Sequence, residues 1–254
     1  MKKSKVREAV IPAAGMGTRL GPFTQAIPKE LLPVGNRAVI EHVVEAMKLA
    51  GINNITIVCA PHKHGLSDYL GSGKRFGVKL TYVIQEERKG LADAVLSAEH
   101  NINGPFAVVL GDNFFDPKLF LKDLISYHID QGSEATLGVA EVKDVTRHGI
   151  IKPDGNKIAN IVEKPSPEEA PSDLGSIGIY VFERDQIFDA IRRTERGHKG
   201  EYQLTDSIKV MVDEGRKVLY KKIDGIHIDV GTPKDLMAAN AWYLVENESI
   251  KFIK

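Results

Sequence analysis

Short, branched apolar runs alternate with longer amphipathic ones through the first half of the chain, the pattern of a mostly parallel sheet covered by helices. VREAVIPAAG predicts a first strand. After Asn36, RAVIEHVVEAMKLAG predicts a helix, because Val39, Val43, Met47 and Ala50 recur along one face and Gly51 ends it. NITIVCA and KLTYVIQE read as strands separated by a short helix at LSDYL. A further helix is expected from Leu91 to His100, then a strand at PFAVVLGDN whose apolar run stops at Gly111. Polar clusters at Gly15 to Arg19, at Gln85 and at Gly111 to Asn113 each follow the carboxyl end of a strand. That common edge is where open α/β sheets place their ligands.

The second half is less regular. Leu119 to Ile129 predicts a helix and Ala135 to Glu141 a strand, while RHGIIKPDGNKIANIVEKP predicts two short strands joined at Asp154-Gly155. GSIGIYVF should return to the core as a strand, followed by a helix at LTDSIKVMVDEG, a strand at KVLYKKID and a closing helix at PKDLMAANAWYLVE. No internal repeat, heptad or low-complexity tract interrupts this order, and 254 residues suit one sizeable core, or a core plus a smaller appended lobe, with one globular unit as the default. No sharp domain boundary is visible.

Charge narrows the partners. Lysine and arginine number 34 and aspartate and glutamate also 34, so no overall field draws in nucleic acid or an acidic membrane. The basic start MKKSKVREAV leads only into the short apolar run Ala9 to Ala14, so no signal peptide is expected, and no segment has the length to span a bilayer. The single cysteine, Cys59, cannot form an internal disulfide and is expected to be a buried, inert thiol. A cytoplasmic setting follows as the expectation.

The richest local chemistry is in AAGMGTRLGPFTQAIPKELLPVG. Gly15 and Gly17 allow close backbone approach and free amide hydrogens that can cradle phosphate oxygens, and Arg19 and Lys29 add the charge a triphosphate needs. A Gly-x-Gly segment by itself is explained equally well as a tight turn. Leu20 stands where the dinucleotide fingerprint requires a third glycine, and the Gly-Lys-Ser/Thr of the common phosphate loop is absent, so neither frequent motif applies. Asp112 and Asp229 each follow an apolar run and could share a hard cation such as magnesium, although either alone would serve as a solvated acid or a helix cap. Glu163-Lys164-Pro165 reads by itself first as a surface-loop charge pair and only second as a functional site, and alternation of strand side chains leaves open whether the two neighbours face the same way. His62 and His64 lack the ligand company of a zinc site, and His42, His100, His128 and His198 have no nucleophile partner at a recognisable spacing.

The segment GMGTRLGPFTQAIPKELLPVGNRAVI resembles the signature of the sugar nucleotidyltransferases, most closely the glucose-1-phosphate thymidylyl- and uridylyltransferases. The resemblance continues through QEERKGLADAV, VVLGDN, HGIIKPDG, IVEKP, GSIGIYVF, EYQLTD and IDVGTPKD, nearly the whole chain. It implies a Rossmann-like α/β fold with a central mixed, mostly parallel sheet, a nucleotide-binding portion at about residues 1–130 and a sugar-phosphate portion at about 131–232. By residue-wise match, Ala14, Gly15, Gly17, Thr18 and Arg19 with Lys29 would hold the triphosphate, and Gln85 and Gly90 the base. Gly149 and Glu163 would meet the sugar, Lys164 its phosphate, and Asp112 and Asp229 a Mg²⁺ cofactor, with Asp112 also beside the nucleotide. The implied substrates are dTTP or UTP and a sugar 1-phosphate, by resemblance glucose 1-phosphate, with pyrophosphate released. Arg19, Lys29 and Lys164 would be catalytic. The resemblance also admits a homo-oligomer. His148 departs from it, standing where the thymidylyltransferase pattern has tyrosine before glycine, which leaves a sugar-side aromatic contact open. Two other readings compete: a non-catalytic sugar-nucleotide sensor, which would be favoured by loss of residues that are all present, and a nicotinamide-dependent oxidoreductase, which Leu20 disfavours.

Overall fold

The computed structural model describes residues 5–61 and 63–247. Its first half contains strand β1 (Glu8–Ala13), the one-turn helix α1 (Phe23–Ala26), the small hairpin β2 (Pro33–Val34) and β3 (Arg37–Ala38), helix α2 (Val39–Leu49), β4 (Asn54–Cys59), α3 (His64–Leu70), β5 (Lys79–Ile84), α4 (Leu91–Ser97), β6 (Phe106–Val109), β7 (Asn113–Asp116) and α5 (Phe120–Gln131). The second half adds β8 (Ala135–Glu141), β9 (Gly149–Asp154), β10 (Lys157–Glu163), β11 (Leu174–Phe182), α6 (Arg184–Arg193), α7 (Leu204–Asp213), β12 (Val218–Lys222), β13 (Ile226–Asp229) and α8 (Pro233–Asn247).

A nine-stranded sheet in the order β5-β4-β1-β6-β11-β8-β12-β10-β9 runs through both halves of the chain. It is mixed, as expected, but partly parallel and partly antiparallel rather than mostly parallel, because β9, β10 and β11 run antiparallel to their neighbours. The parallel pairings are β1 with β4 and β6, β4 with β5, and β8 with β12, whereas β11 runs antiparallel between β6 and β8 and the β9–β10 hairpin is antiparallel. Both faces are covered, which explains the near-continuous apolar runs in the strands. Alternate residues of β1 sort accordingly: Ala9, Ile11 and Ala13 pack with α2, α3 and α5, whereas Val10 joins the other core with α4, α6 and α7. A third, smaller cluster of Val34, Val39, Phe114, Val230 and Ala239 seats α8 on the hairpin.

Three features differ from the pattern-based expectation. The second helix begins at Val39 rather than Arg37, because Arg37 and Ala38 pair with Pro33 and Val34 around a turn in which Gly35 has φ 64°. Helix α6 was not anticipated: only Ile187, Phe188, Ala190 and Ile191 are buried, and the charged RDQIFDAIRR masks that stripe. Strands β7 and β13 were also missed, since an apolar run as short as IHI gains strand identity only from its partner.

Candidate active site

The carboxyl ends of the sheet border a cleft of about 650 Å³. Every candidate side chain lines it: Ala14, Gly15, Gly17, Thr18, Arg19, Lys29, Gln85, Gly90, Asp112, Gly149, Glu163, Lys164 and Asp229.

On one side the chain leaving β1 forms the glycine-rich loop. Gly17 is in the left-handed region at φ 65°, and a Cβ there would lie 2.9 Å from Thr24 Cγ2 and 3.2 Å from Lys29 Cβ. Glycine is therefore demanded twice, by backbone conformation and by close approach. Lys29 follows in a single turn of 3-10 helix, Lys29–Leu31, and its ammonium is ion-paired with Asp112. Burial works against that ammonium, yet the Asp112, Glu30 and Asp229 carboxylates outweigh it and hold Lys29 above its ordinary range. Behind the loop, Lys63 Nζ donates to the Ala13 carbonyl at 2.8 Å and to both Glu30 oxygens at 2.9 Å, tying the end of β1 to the segment that carries Lys29.

Asp112 and Asp229 are brought together by the β7–β13 pairing. Asp229 lies opposite Asn113, and Val230 N–H donates to the Asp112 carbonyl at 3.0 Å, so the two carboxyl groups come within hydrogen-bonding reach of each other. Burial opposes charge on Asp112, but Lys29 wins and keeps it below the usual carboxylate range. Burial and then the neighbouring Asp112 push Asp229 up to about 7. Arg19 at 3.7 Å and Arg147 at 3.9 Å flank Asp229. Two crowded carboxyl groups form an all-oxygen donor pair that fits a hard divalent cation, with further ligand positions left for phosphate and water. Among the described residues no three His, Cys, Asp or Glu side chains form a metal cluster, so such an ion would have to draw its remaining ligands from elsewhere.

On the far side, Gly149 and Glu163 are register partners of the β9–β10 hairpin. A Cβ on Gly149 would lie 2.6 Å from Thr205 Oγ1 of α7, which explains the glycine by packing. Lys164 has φ 46°, uncommon for a residue with a side chain, and its Nζ reaches Glu163 Oε1 at 2.6 Å. The bend at Lys164 resolves the alternation problem: it lets two consecutive side chains face one cleft. Lys164 N–H donates to the His148 carbonyl at 2.9 Å, tying this bend to the start of β9.

The structure adds lining residues that sequence reading did not select. Arg147 contacts Asp235 at 3.1 Å as well as Asp229, and its only sequence signal is its place beside His148-Gly149. His227 lines the cleft two residues before Asp229, its Nε2 buried without a partner, and burial followed by the nearby His148 pushes its pKa down to about 3. Asn113 has a structural task, donating through Nδ2 to the Ile177 carbonyl at 2.7 Å at the irregularity in β11. Of the remaining histidines, His42 and His128 are buried in helices, and His62 lies outside the described residues. Cys59 is buried, and burial raises its thiol to about 11, in keeping with an inert role. No helix of the described residues is long and apolar enough to cross a membrane.

A glycine-rich loop with two cations, a carboxylate pair and a second cationic bend around one cleft define a protein equipped to bring two phosphorylated ligands together. Residues 8–246 match the nucleotidyl transferase family model. The chain belongs to this family of enzymes and is a sugar-1-phosphate nucleotidyltransferase. A UTP–glucose-1-phosphate uridylyltransferase of Streptococcus pyogenes is 34% identical over an alignment 282 residues long, covering 98% of this chain and 92% of the relative. A UDP-glucose pyrophosphorylase solved with UDP-glucose superposes with a TM-score of 0.88 at 31% identity, covering 95% of this chain and 99% of the other. A Bacillus anthracis protein provisionally named a glucose-1-phosphate thymidylyltransferase gives a TM-score of 0.85 at 32% identity, with 97% of each chain covered.

Proposed function

We propose that this enzyme joins UTP or dTTP to glucose 1-phosphate, with the roles divided across the cleft. The observation that supports the division is the separation of its cations: Arg19 and Lys29 at the glycine-rich loop, Lys164 on the opposite bend. In this reading about residues 1–130 supply the nucleotide side and about 131–232 the sugar-phosphate side.

A phosphate oxygen of the sugar 1-phosphate attacks the α-phosphorus in line with the bond to the β-phosphate, and pyrophosphate leaves. That monoester is already ionised near neutral pH, so neither a protein nucleophile nor a strong base is needed. The protein contributes position and charge. Loop amides, Arg19 and Lys29 hold the departing phosphates. Lys164 offsets the charge of the incoming monoester, and Glu163 accepts hydrogen bonds from sugar hydroxyls. Asp112 and Asp229 are the residues that would hold Mg²⁺, which when bound supplies further positive charge at the nucleotide phosphates. Nucleotide entry would also free Lys29 from Asp112, because phosphate oxygens can replace the carboxylate as its partner.

The test is release of pyrophosphate and formation of the nucleotide sugar when the protein is mixed with magnesium, glucose 1-phosphate and UTP or dTTP. Turnover with another sugar 1-phosphate but none with glucose 1-phosphate would reject the sugar assignment. Binding of both substrates without pyrophosphate release would favour the sensor.

A further inference from the structure

Gln85 ends the first half of the cleft wall, directly after β5, and is 4% exposed. Its Nε2 donates to Asp93 Oδ2 at 2.6 Å and to the Gly90 carbonyl at 3.2 Å. The orientation of an amide is normally inferred from its surroundings, and here those surroundings leave one answer. A carboxylate oxygen and a backbone carbonyl both accept and cannot donate, so turning the amide over would set Oε1 against two acceptors. Nε2 is thus committed to the protein, while Oε1 has no donor among the described residues and is the atom left for a ligand in the cleft that Gln85 lines.

We propose that Asp93, which does not itself line the cleft, is a positioning residue that makes the site select pyrimidines carrying an N3–H over cytosine. This rests on the proposed function and on the base contact that the family resemblance implies for Gln85, which lines the cleft. Uracil and thymine present a donor at N3, whereas cytosine presents a lone pair at the same position. A fixed Oε1 accepts from the first and repels the second. A freely turning amide would serve both bases, because its nitrogen could donate to cytosine N3. Discrimination therefore lies less in the presence of glutamine than in what prevents it from turning. Asp93 makes the shorter of the two locking contacts and comes from the first turn of α4, so the lock is built into the element that follows Gly90. A buried site built to pair one hydrogen-bond pattern rejects a mismatched ligand strongly, since the mismatch leaves desolvated polar atoms facing each other.

The test compares wild type with Asp93→Asn and Asp93→Ala. Equilibrium binding of UTP, dTTP and CTP is measured by calorimetry, and kcat/KM for UTP and CTP at saturating glucose 1-phosphate. Asparagine keeps the size but can itself turn and donate, and alanine removes the acceptor altogether; either change leaves only the longer Gly90 contact to hold the amide. The expected result is a fall of at least about tenfold in the UTP:CTP preference in both variants, with CTP gaining relative to UTP and the thermal midpoint near wild type. A merely structural role would weaken both nucleotides alike. An unchanged preference in folded Asp93→Asn overturns the proposal, as does wild-type protein that binds UTP and CTP equally. Failure of wild type to bind any pyrimidine triphosphate would overturn the proposed function and this inference together.

Discussion

Replacing Lys63 by methionine isolates one buried charge pair behind the glycine-rich loop. Glu30 is 0% and Lys63 5% exposed, and one ammonium serves three acceptors: both Glu30 oxygens and the Ala13 carbonyl. Methionine fills similar space but leaves the carboxylate unpaired and the carbonyl without its donor. Breaking a buried ion pair from one side costs about 3–5 kcal/mol, because the partner's charge stays desolvated. In a chain of this size that corresponds to a fall of roughly 6–20 °C in Tm. The loss should depend on pH. Burial already raises Glu30 above its ordinary 4.5, with Lys63 and then Lys29 pulling it back. Without Lys63 its folded pKa rises further, so the folded state retains a proton that the unfolded chain releases. A raised carboxylate pKa makes stability fall as pH climbs through the window between the unfolded and folded values. Urea unfolding of Lys63→Met should therefore show a larger deficit at pH 8 than at pH 5, and Lys63→Met/Glu30→Met should recover much of it. A deficit below about 1 kcal/mol at both pH values would refute the assignment of this pair as a buried, desolvated contact.

Three further outcomes are expected. Lys164→Ala should impair use of the sugar 1-phosphate more than binding of free triphosphate, read from nucleotide titration and from KM and kcat against the sugar substrate. Arg19→Ala and Lys29→Ala should each cost at least roughly tenfold in turnover, about 1.4 kcal/mol of transition-state stabilisation, and Arg19→Lys should not restore full activity if the guanidinium makes two parallel contacts. Asp112→Asn and Asp229→Asn should slow single-turnover chemistry and weaken magnesium-dependent nucleotide binding, with near-normal thermal stability in Asp229→Asn and a lower midpoint in Asp112→Asn, which also unpairs buried Lys29; wild-type turnover in either would sink the shared-metal assignment.

The elements that could be read in advance were those with long, regular burial. The branched runs of β1, β4 and β8 stood out because both sheet faces are covered, and α2, α5 and α7 because one stripe meets the core. The loop residues were legible for a related reason: Gly15, Gly17, Arg19 and Lys29 lie close in the chain, and their chemistry is local. Asp112 and Asp229 could be named as a pair from their places after apolar runs, but the geometry that joins distant residues was not legible. Nothing between Asp112 and Asp229 in sequence states that β7 and β13 will pair, and only that ladder sets two carboxyl groups side by side and drives Asp229 upward. The bend at Lys164, the amide lock of Asp93 on Gln85 and the Lys63 anchor beneath Ala13 likewise arise from packing and backbone conformation. Local patterning records which residues prefer burial and which carry charge. Which charges meet, and which lose their water on meeting, depends on long-range contacts that no single stretch of the chain encodes.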